Sequence, residues 1–287
     1  MRLQLFALLV LCVVASCSKR SPERHASRED EAGLIGNDQQ RSPITVAAAS
    51  DLSRAFQEVG RLYTEKTGET VTFNFGSTGL LAKQLTDGAP FDLFAAANVS
   101  FIDDAIKSGA CFDDSKALYA RGRIVVFTKS GRAPAITGLT DAKYVKIAIA
   151  NPEHAPYGKA AKQALEKAGI WDKVHPRIIY GENVSQTVQF AQSGNAEAGI
   201  VALSVAVGGG GQYTLVDDGL HAPLDQALAV CKGGPDAKGA NIPRARAFAA
   251  FVNREGREIM KRYGFLLPGE ALAADTSGGG AAQPTTP

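Results

Sequence analysis

The chain has 287 residues, 45% of them hydrophobic and 21% charged, with a formal net charge of +2. That is globular composition, long enough for one large domain or two modest ones. It carries no basic stripe with interleaved aromatics, which argues against a nucleic-acid partner; Lys19-Arg20 and Lys261-Arg262 are isolated pairs.

The first element in chain order is a leader. "MRLQLFALLVLCVVASC" places Arg2 before an apolar run from Leu3 to Val14, then small residues. This is the pattern of an export signal, and the run is short for a bilayer span. "VASC", Val14 to Cys17, resembles the lipobox of bacterial lipoproteins. The resemblance implies a signal over 1–16, cleavage before Cys17, and lipid on that residue's thiol and new amine. A soluble secretory signal cut nearby is the alternative. Residues 17–43 are polar, charged and poor in large apolar side chains, as expected of a disordered tether. The expected location is therefore exported, periplasmic or cell-surface, with a lipid anchor in a bacterial membrane.

From Ile44 onward, strand and helix patterns alternate. "ITVAAA" reads as a strand, and the next segment sets Leu52, Phe56, Val59 and Tyr63 on one helical face. "VTFNF" alternates as a strand and "GSTGLLAKQL" turns helical. "FDLFAAA" and "SFIDDAIKSG" repeat the pair. "RGRIVVFTK" and "VKIAIA" are strands. "PYGKAAKQALEKAGI" aligns Tyr157, Ala161, Ala164 and Ala168 on one face. "RIIY" precedes a helix with Val184, Val188 and Ala191 together. "EAGIVAL" and "QALAVC" are strands; "IPRARAFAAFVN" and "EGREIMKRYGF" are helices. The alternation predicts an α/β fold with mainly parallel sheets. The tail over 275–287 is low-complexity and expected to be disordered.

Cys12 leaves with the leader and Cys17 carries the lipid, so Cys111 and Cys231 remain. A disulfide persists in an oxidising compartment, but spacing does not show that the two are neighbours; two buried free thiols are the alternative. His25, His154, His175 and His221 are scattered, with no Cys/His cluster at zinc spacing.

Chemistry concentrates at strand-to-helix junctions with small or polar residues: Ser50-Asp51, Ser77-Thr78, Pro156-Tyr157-Gly158 and Glu182-Asn183-Val184. In parallel α/β sheets these lie at the carboxyl ends of strands, where ligands bind. A helix start has unpartnered N–H groups and a partial positive charge. Several such starts aimed at one point hold a small anion without lysine or arginine. Each junction alone is equally an ordinary N-cap, and periodicity does not show that the four converge.

The stretches "VAAASDL", "FNFGSTGLLAKQLTDGAPFDLFAAA", "ANPEHAPYGKAAKQALEKAGIWDKV", "YGENVSQTVQFAQSGNAEAGIVALS" and "KRYGF" together resemble the periplasmic molybdate-binding proteins of ABC importers, in that family's order, from about Ile44 to Phe265. The resemblance implies a two-lobed, class II solute-binding fold with the ligand cleft at its hinge. One lobe takes residues 44–127 plus 226–267, the other residues 128–225. It implies molybdate or tungstate as ligand, no cofactor, no direct protein–metal ligand, and a membrane permease as partner of a monomeric binding protein. By position, the oxyanion falls to the Ser50 hydroxyl and amide, the Asp51 amide, Thr78 with Ser77 beside it, Tyr157, and the Val184 amide. Cys111 and Cys231 then share a lobe. Two departures matter. Some members have a tyrosine after "GIV", where this chain has Ala202; Tyr157 supplies the phenol from the other side. Asp51 puts a carboxylate beside a dianion, unless it accepts the proton of hydrogen phosphate.

Other readings remain open at this point. Another tetrahedral oxyanion, sulfate or phosphate, fits the same junctions. A sensory ectodomain of the same fold uses no permease. An enzyme is disfavoured: "GSTG" is not the G-x-S-x-G nucleophile turn, and "GGGG" at 208–211 leads into "QYTL", a strand, not a phosphate-loop helix.

Overall fold

The structure is a computed structural model that describes residues 42–233 and 241–270. The signal over 1–16, the lipidation site Cys17, nearly all of the 17–43 tether and the 275–287 tail lie outside the described residues. In chain order the strands are β1 (Ile44–Ala49), β2 (Val71–Gly76), β3 (Leu93–Ala96), β4 (Ala117–Gly122), β5 (Ile124–Thr128), β6 (Ile147–Ala150), β7 (Ile178–Gly181), β8 (Ala198–Ala202), β9 (Gln212–Leu215) and β10 (Leu224–Val230). The helices are α1 (Ser53–Thr67), α2 (Thr78–Thr86), α3 (Val99–Lys107), α4 (Pro156–Lys167), α5 (Trp171–Val174), α6 (Val184–Ser193), α7 (Leu203–Ala206), α8 (Ile242–Arg254) and α9 (Arg257–Arg262).

The strands form two five-stranded sheets, ordered β2-β1-β3-β10-β4 and β7-β6-β8-β5-β9. β1 pairs in parallel with β2 and β3, and β10 runs antiparallel between β3 and β4. The second sheet repeats the scheme: β6 is parallel to β7 and β8, and β5 is antiparallel between β8 and β9. Each sheet is thus mainly parallel with one reversed strand, and that strand is the one delivered by a crossing between sheets. The single strand predicted over "RGRIVVFTK" is two strands broken at Arg123. Gly122 pairs with Leu224 in the first sheet, and Ile124 pairs with Ala202 in the second. Residues 124–127 therefore pair in the second sheet, although the sequence groups them with the first.

Local sequence explains the elements. β1, β3 and β6 are almost wholly buried apolar runs, as central strands covered on both faces are. β2 sits at an edge and alternates, with Thr72 and Asn74 exposed. On α1 the predicted face is the buried one, and Phe56 packs against Phe73, Tyr119 and Phe248. Each such ring contributes about 1.5–3 kcal/mol through burial. α1 ends at Gly68, whose φ of 75° is the left-handed turn that glycine allows.

Cys111 and Cys231 are bonded to each other, settling the pairing that the sequence leaves open. The bridge ties the chain after α3 to the end of β10 across 120 residues. In the chain-entropy picture, a loop of that size constrains the unfolded state by about 5 kcal/mol. No helix among the described residues is long and apolar enough to cross a membrane.

Candidate functional site

β1, β2, β6 and β7 end at Ala49, Gly76, Ala150 and Gly181, and each hands over to a helical segment at or shortly after its carboxyl end. Those starts surround one cavity. Ser50, Asp51, Ser77, Thr78, Tyr157 and Val184 all line it, with Ala49, Gly76, Ala97, Ala155, Pro156 and Asn183. All six residues singled out from the sequence are buried. The convergence that periodicity does not provide is therefore present in the fold. The centre of a water-sized sphere can occupy about 10 Å³ of the cavity. That accommodates one small ion and is far below what an organic solute needs.

The lining is neutral in cations: no lysine or arginine contributes. Its donors are helix starts. α2 and α4 begin at Ser77 and Ala155 with no capping side-chain bond. α6 is capped by Asn183, whose Oδ1 accepts from Gln186 N at 3.0 Å, which leaves the Val184 N–H outside the cap. First-turn N–H groups have no partner within their own helix. Thr78 Oγ1 accepts from Ala97 N at 3.2 Å, so its hydroxyl proton remains to be donated.

Ser77 is placed differently from expectation. Its Oγ donates to the His154 carbonyl at 2.7 Å and stands 2.8 Å from His154 Nδ1. Either partner takes the one hydroxyl proton, so Ser77 reaches the cavity but spends its donor on His154. The Gly79 N–H also goes to the His154 carbonyl, at 2.9 Å. Further bonds join segments of the two sheets around the cavity. Ser185 Oγ donates to Ser50 O at 2.9 Å, Ser204 Oγ to Asp51 O at 2.8 Å, and Arg54 Nη1 to Val207 O at 2.9 Å.

Behind the cavity lies a buried polar chain. Tyr157 OH donates to Asp51 Oδ2 at 2.9 Å, and Gln226 Nε2 donates to the same oxygen at 2.7 Å. Gln226 Nε2 also approaches Tyr157 OH at 3.0 Å, and Tyr119 OH donates to Gln226 Oε1 at 2.8 Å. Asp51 Oδ1 is buried and has no partner. Gly122 makes room for this chain, because a Cβ there would stand 2.0 Å from Tyr157 OH. Gln226, Tyr119, His154 and Ser204 are not among the residues that the sequence singled out. Gln226 left one signal: a lone amide inside the apolar run of β10. Tyr119 falls in β4, which the strand pattern did not reveal.

Burial pushes the Asp51 carboxyl up from 3.8 to about 6, against its bonds from Gln226 and Tyr157 and its own backbone N–H, which pull it down. Burial and the Asp51 charge raise the Tyr157 and Tyr119 phenols well above 10. The folded chain thus keeps a proton on Asp51 that the unfolded chain loses. The contribution to stability is full below 3.8 and is lost as pH rises through about 6. Above that, the ionised carboxylate costs the empty protein about 3 kcal/mol. About half of that cost is already present at pH 5, so Asp51→Asn is expected to gain stability relative to the parent between pH 5 and pH 8 by roughly 3–6 °C in melting temperature. A difference in melting temperature that is the same at both pH values would contradict this.

Among the described residues no group of three or more His, Cys, Asp or Glu side chains is placed to hold a metal ion. Residues 44–266 match the family of bacterial extracellular solute-binding proteins. The chain is 35% identical to the molybdate-binding protein ModA of Rhodobacter capsulatus over 78% of this chain and 88% of that one. It is 30% identical to the molybdate-binding protein ModA of Azotobacter vinelandii, over 82% and 94% of the two chains. The solved structure of an Azotobacter vinelandii periplasmic molybdate-binding protein superposes with a TM-score of 0.72 at 25% identity, covering 78% of this chain and 99% of that one.

Proposed function

The chain belongs to the bacterial extracellular solute-binding protein family, and from that premise we propose that it is the molybdate- or tungstate-capturing component of an ABC importer. The observation that carries this reading is the cavity itself. It has room for one small ion, is walled by four helix starts and lacks any lysine or arginine. Its relatives bear the name of molybdate-binding proteins at 30–35% identity over most of their length, which supports a binding role over an enzymatic one.

The two sheets act as two lobes, one around β1–β4 and β10, the other around β5–β9. Thr78 and the Ser50–Asp51 turn reach the ion from the first lobe; from the second, Tyr157 and Val184 reach it through their backbone N–H groups, because the Tyr157 phenol expected at the ion spends its proton on Asp51. Ser77 closes the cleft through His154. The ion draws the lobes together, and a membrane permease recognises the closed, monomeric form. Neutral donors suit a tetrahedral dianion because N–H dipoles and hydroxyls balance its charge without a fixed cation that would bind any anion. Size then selects. A donor left unfilled in this dry cavity costs about 1–3 kcal/mol, enough to separate the longer-bonded molybdate and tungstate from sulfate.

Calorimetric titration of the purified protein tests this. Molybdate and tungstate are expected to bind about five- to 150-fold more tightly than sulfate and phosphate. Equal or tighter binding of sulfate or phosphate would keep the fold and overturn the ligand.

The anchor is a separate part of the proposal. Lipid on Cys17 holds the protein at the membrane, with residues 17–43 as tether. Cys17→Ser is expected to move the protein from the membrane fraction to the soluble one. A variant that stays with the membranes would exclude the anchor.

A further inference from the structure

One feature of the cavity wall is not explained by anion capture through neutral donors. Asp51 lines the cavity, is 1% exposed, and has no hydrogen bond or ion pair to a lysine, arginine or histidine among the described residues. Its Oδ2 is filled by Tyr157 and Gln226, while Oδ1 is buried without a partner. An ionised carboxylate here would add a third negative charge to a bound dianion, in a pocket with no cation to offset it.

We propose that Asp51 is protonated whenever the cavity holds its dianion, with the proton on Oδ1, so that capture takes up one proton per ion. This rests on the oxyanion-binding reading above and deepens it. The proton removes the repulsion and turns the unpartnered oxygen into an O–H donor on the cavity wall. Oδ2 continues to accept from Tyr157 and Gln226, so the buried chain behind the cavity is undisturbed.

The groups that face Asp51 are few. α4 brings Tyr157 and β4 brings Tyr119, whose phenols stay protonated at any working pH. β10 brings the neutral amide Gln226, α7 brings Ser204 to its carbonyl, and α6 brings Ser185 to the neighbouring Ser50 carbonyl. His154 is bonded to Ser77 and makes no bond to Asp51. The empty-state carboxyl at about 6 means that the proton is mostly absent before binding at pH 8 and must be taken from solvent.

Titration with sodium molybdate in several buffers of different ionisation enthalpy at pH 8 reads this directly. The expected result is about one proton taken up per ion, with affinity weakening about tenfold per pH unit between pH 7 and pH 8.5. In His154→Gln the uptake persists; in Asp51→Asn it disappears and the pH slope flattens. The wild-type result stands on its own if Asp51→Asn does not fold. Molybdate binding with no uptake and no pH slope would overturn this proposal while leaving oxyanion capture intact. Uptake that is lost in His154→Gln would overturn it equally. Absence of molybdate binding at every pH would overturn both.

Discussion

Gly158→Ala is expected to lower the melting temperature by roughly 6–12 °C and to weaken ion binding at least about a hundredfold. Gly158 lies in the first turn of α4, one residue after Tyr157. A Cβ at this position would stand 2.1 Å from the Ala150 carbonyl oxygen, 2.6 Å from its carbon and 2.9 Å from the Asn151 carbonyl carbon. These are backbone atoms at the end of β6, so no side chain can swing away. Either the helix start lifts off the strand or the strand end distorts. Overpacking a rigid site typically costs about 1–3 kcal/mol, and a backbone clash belongs at the upper end. The same displacement draws Tyr157 away from Asp51 and the α4 N-terminus away from the cavity. The N–H donor of the α4 start lost to the ion, and the Asp51 carboxyl left short of its Tyr157 bond on the cavity wall, at about 1–3 kcal/mol each, account for the drop in affinity. Calorimetry with molybdate and a thermal melt of the same preparation check both numbers. A variant with parental stability and affinity would mean that α4 does not hold its start against β6 as described.

Gly79→Ala is expected to separate the two effects. Gly79 sits in the first turn of α2, and its added Cβ would meet the His154 carbonyl oxygen at 2.7 Å, His154 Cβ at 3.0 Å and His154 Cα at 3.1 Å. His154 lies between β6 and α4, on the other side of the cleft. If the ion draws the lobes together, this clash exists only when the cleft is shut. The cost, about 1–3 kcal/mol, then falls on binding and not on the folded empty protein. Affinity for molybdate should drop by about tenfold to a hundredfold, while the melting temperature without ligand stays within about 2 °C of the parent. A loss of stability without ligand equal to the loss in binding would instead make the α2–His154 contact a permanent part of the fold.

These two glycines illustrate what the sequence made legible and what it did not. The alternation from Ile44 to the last helices gave the α/β class and most element positions, because buried central strands and amphipathic helices write their periods directly into residue order. The four junctions were visible for the same reason: Ser50, Ser77 and Asn183 follow apolar runs and open helical ones. Their convergence was not visible, since it depends on long-range pairing within two sheets of equivalent strand order and on contacts between their segments around one cavity. The break at Arg123 was hidden because the apolar run Ile124–Phe127 takes Arg121-Gly122-Arg123 as its polar lead-in, although the two ends of "RGRIVVFTK" pair in different sheets. The Tyr119–Gln226–Asp51–Tyr157 chain draws on β4, β10, the turn after β1 and α4. No local pattern links four such distant positions. Ser77 was read as a donor to the ion because hydroxyls at helix starts commonly serve that purpose; its engagement with His154 is a contact across the cleft that residue order does not encode.

The central claim is that one tetrahedral oxyanion sits among the four helix starts. Anomalous diffraction at the molybdenum edge, from crystals of the protein grown with molybdate, tests it most directly. A single strong peak is expected in the cavity bounded by Ser50, Thr78, Tyr157 and Val184, within hydrogen-bond reach of Thr78 Oγ1. A peak in the neighbouring groove lined by Lys159 and Lys162, with the cavity empty, would contradict it.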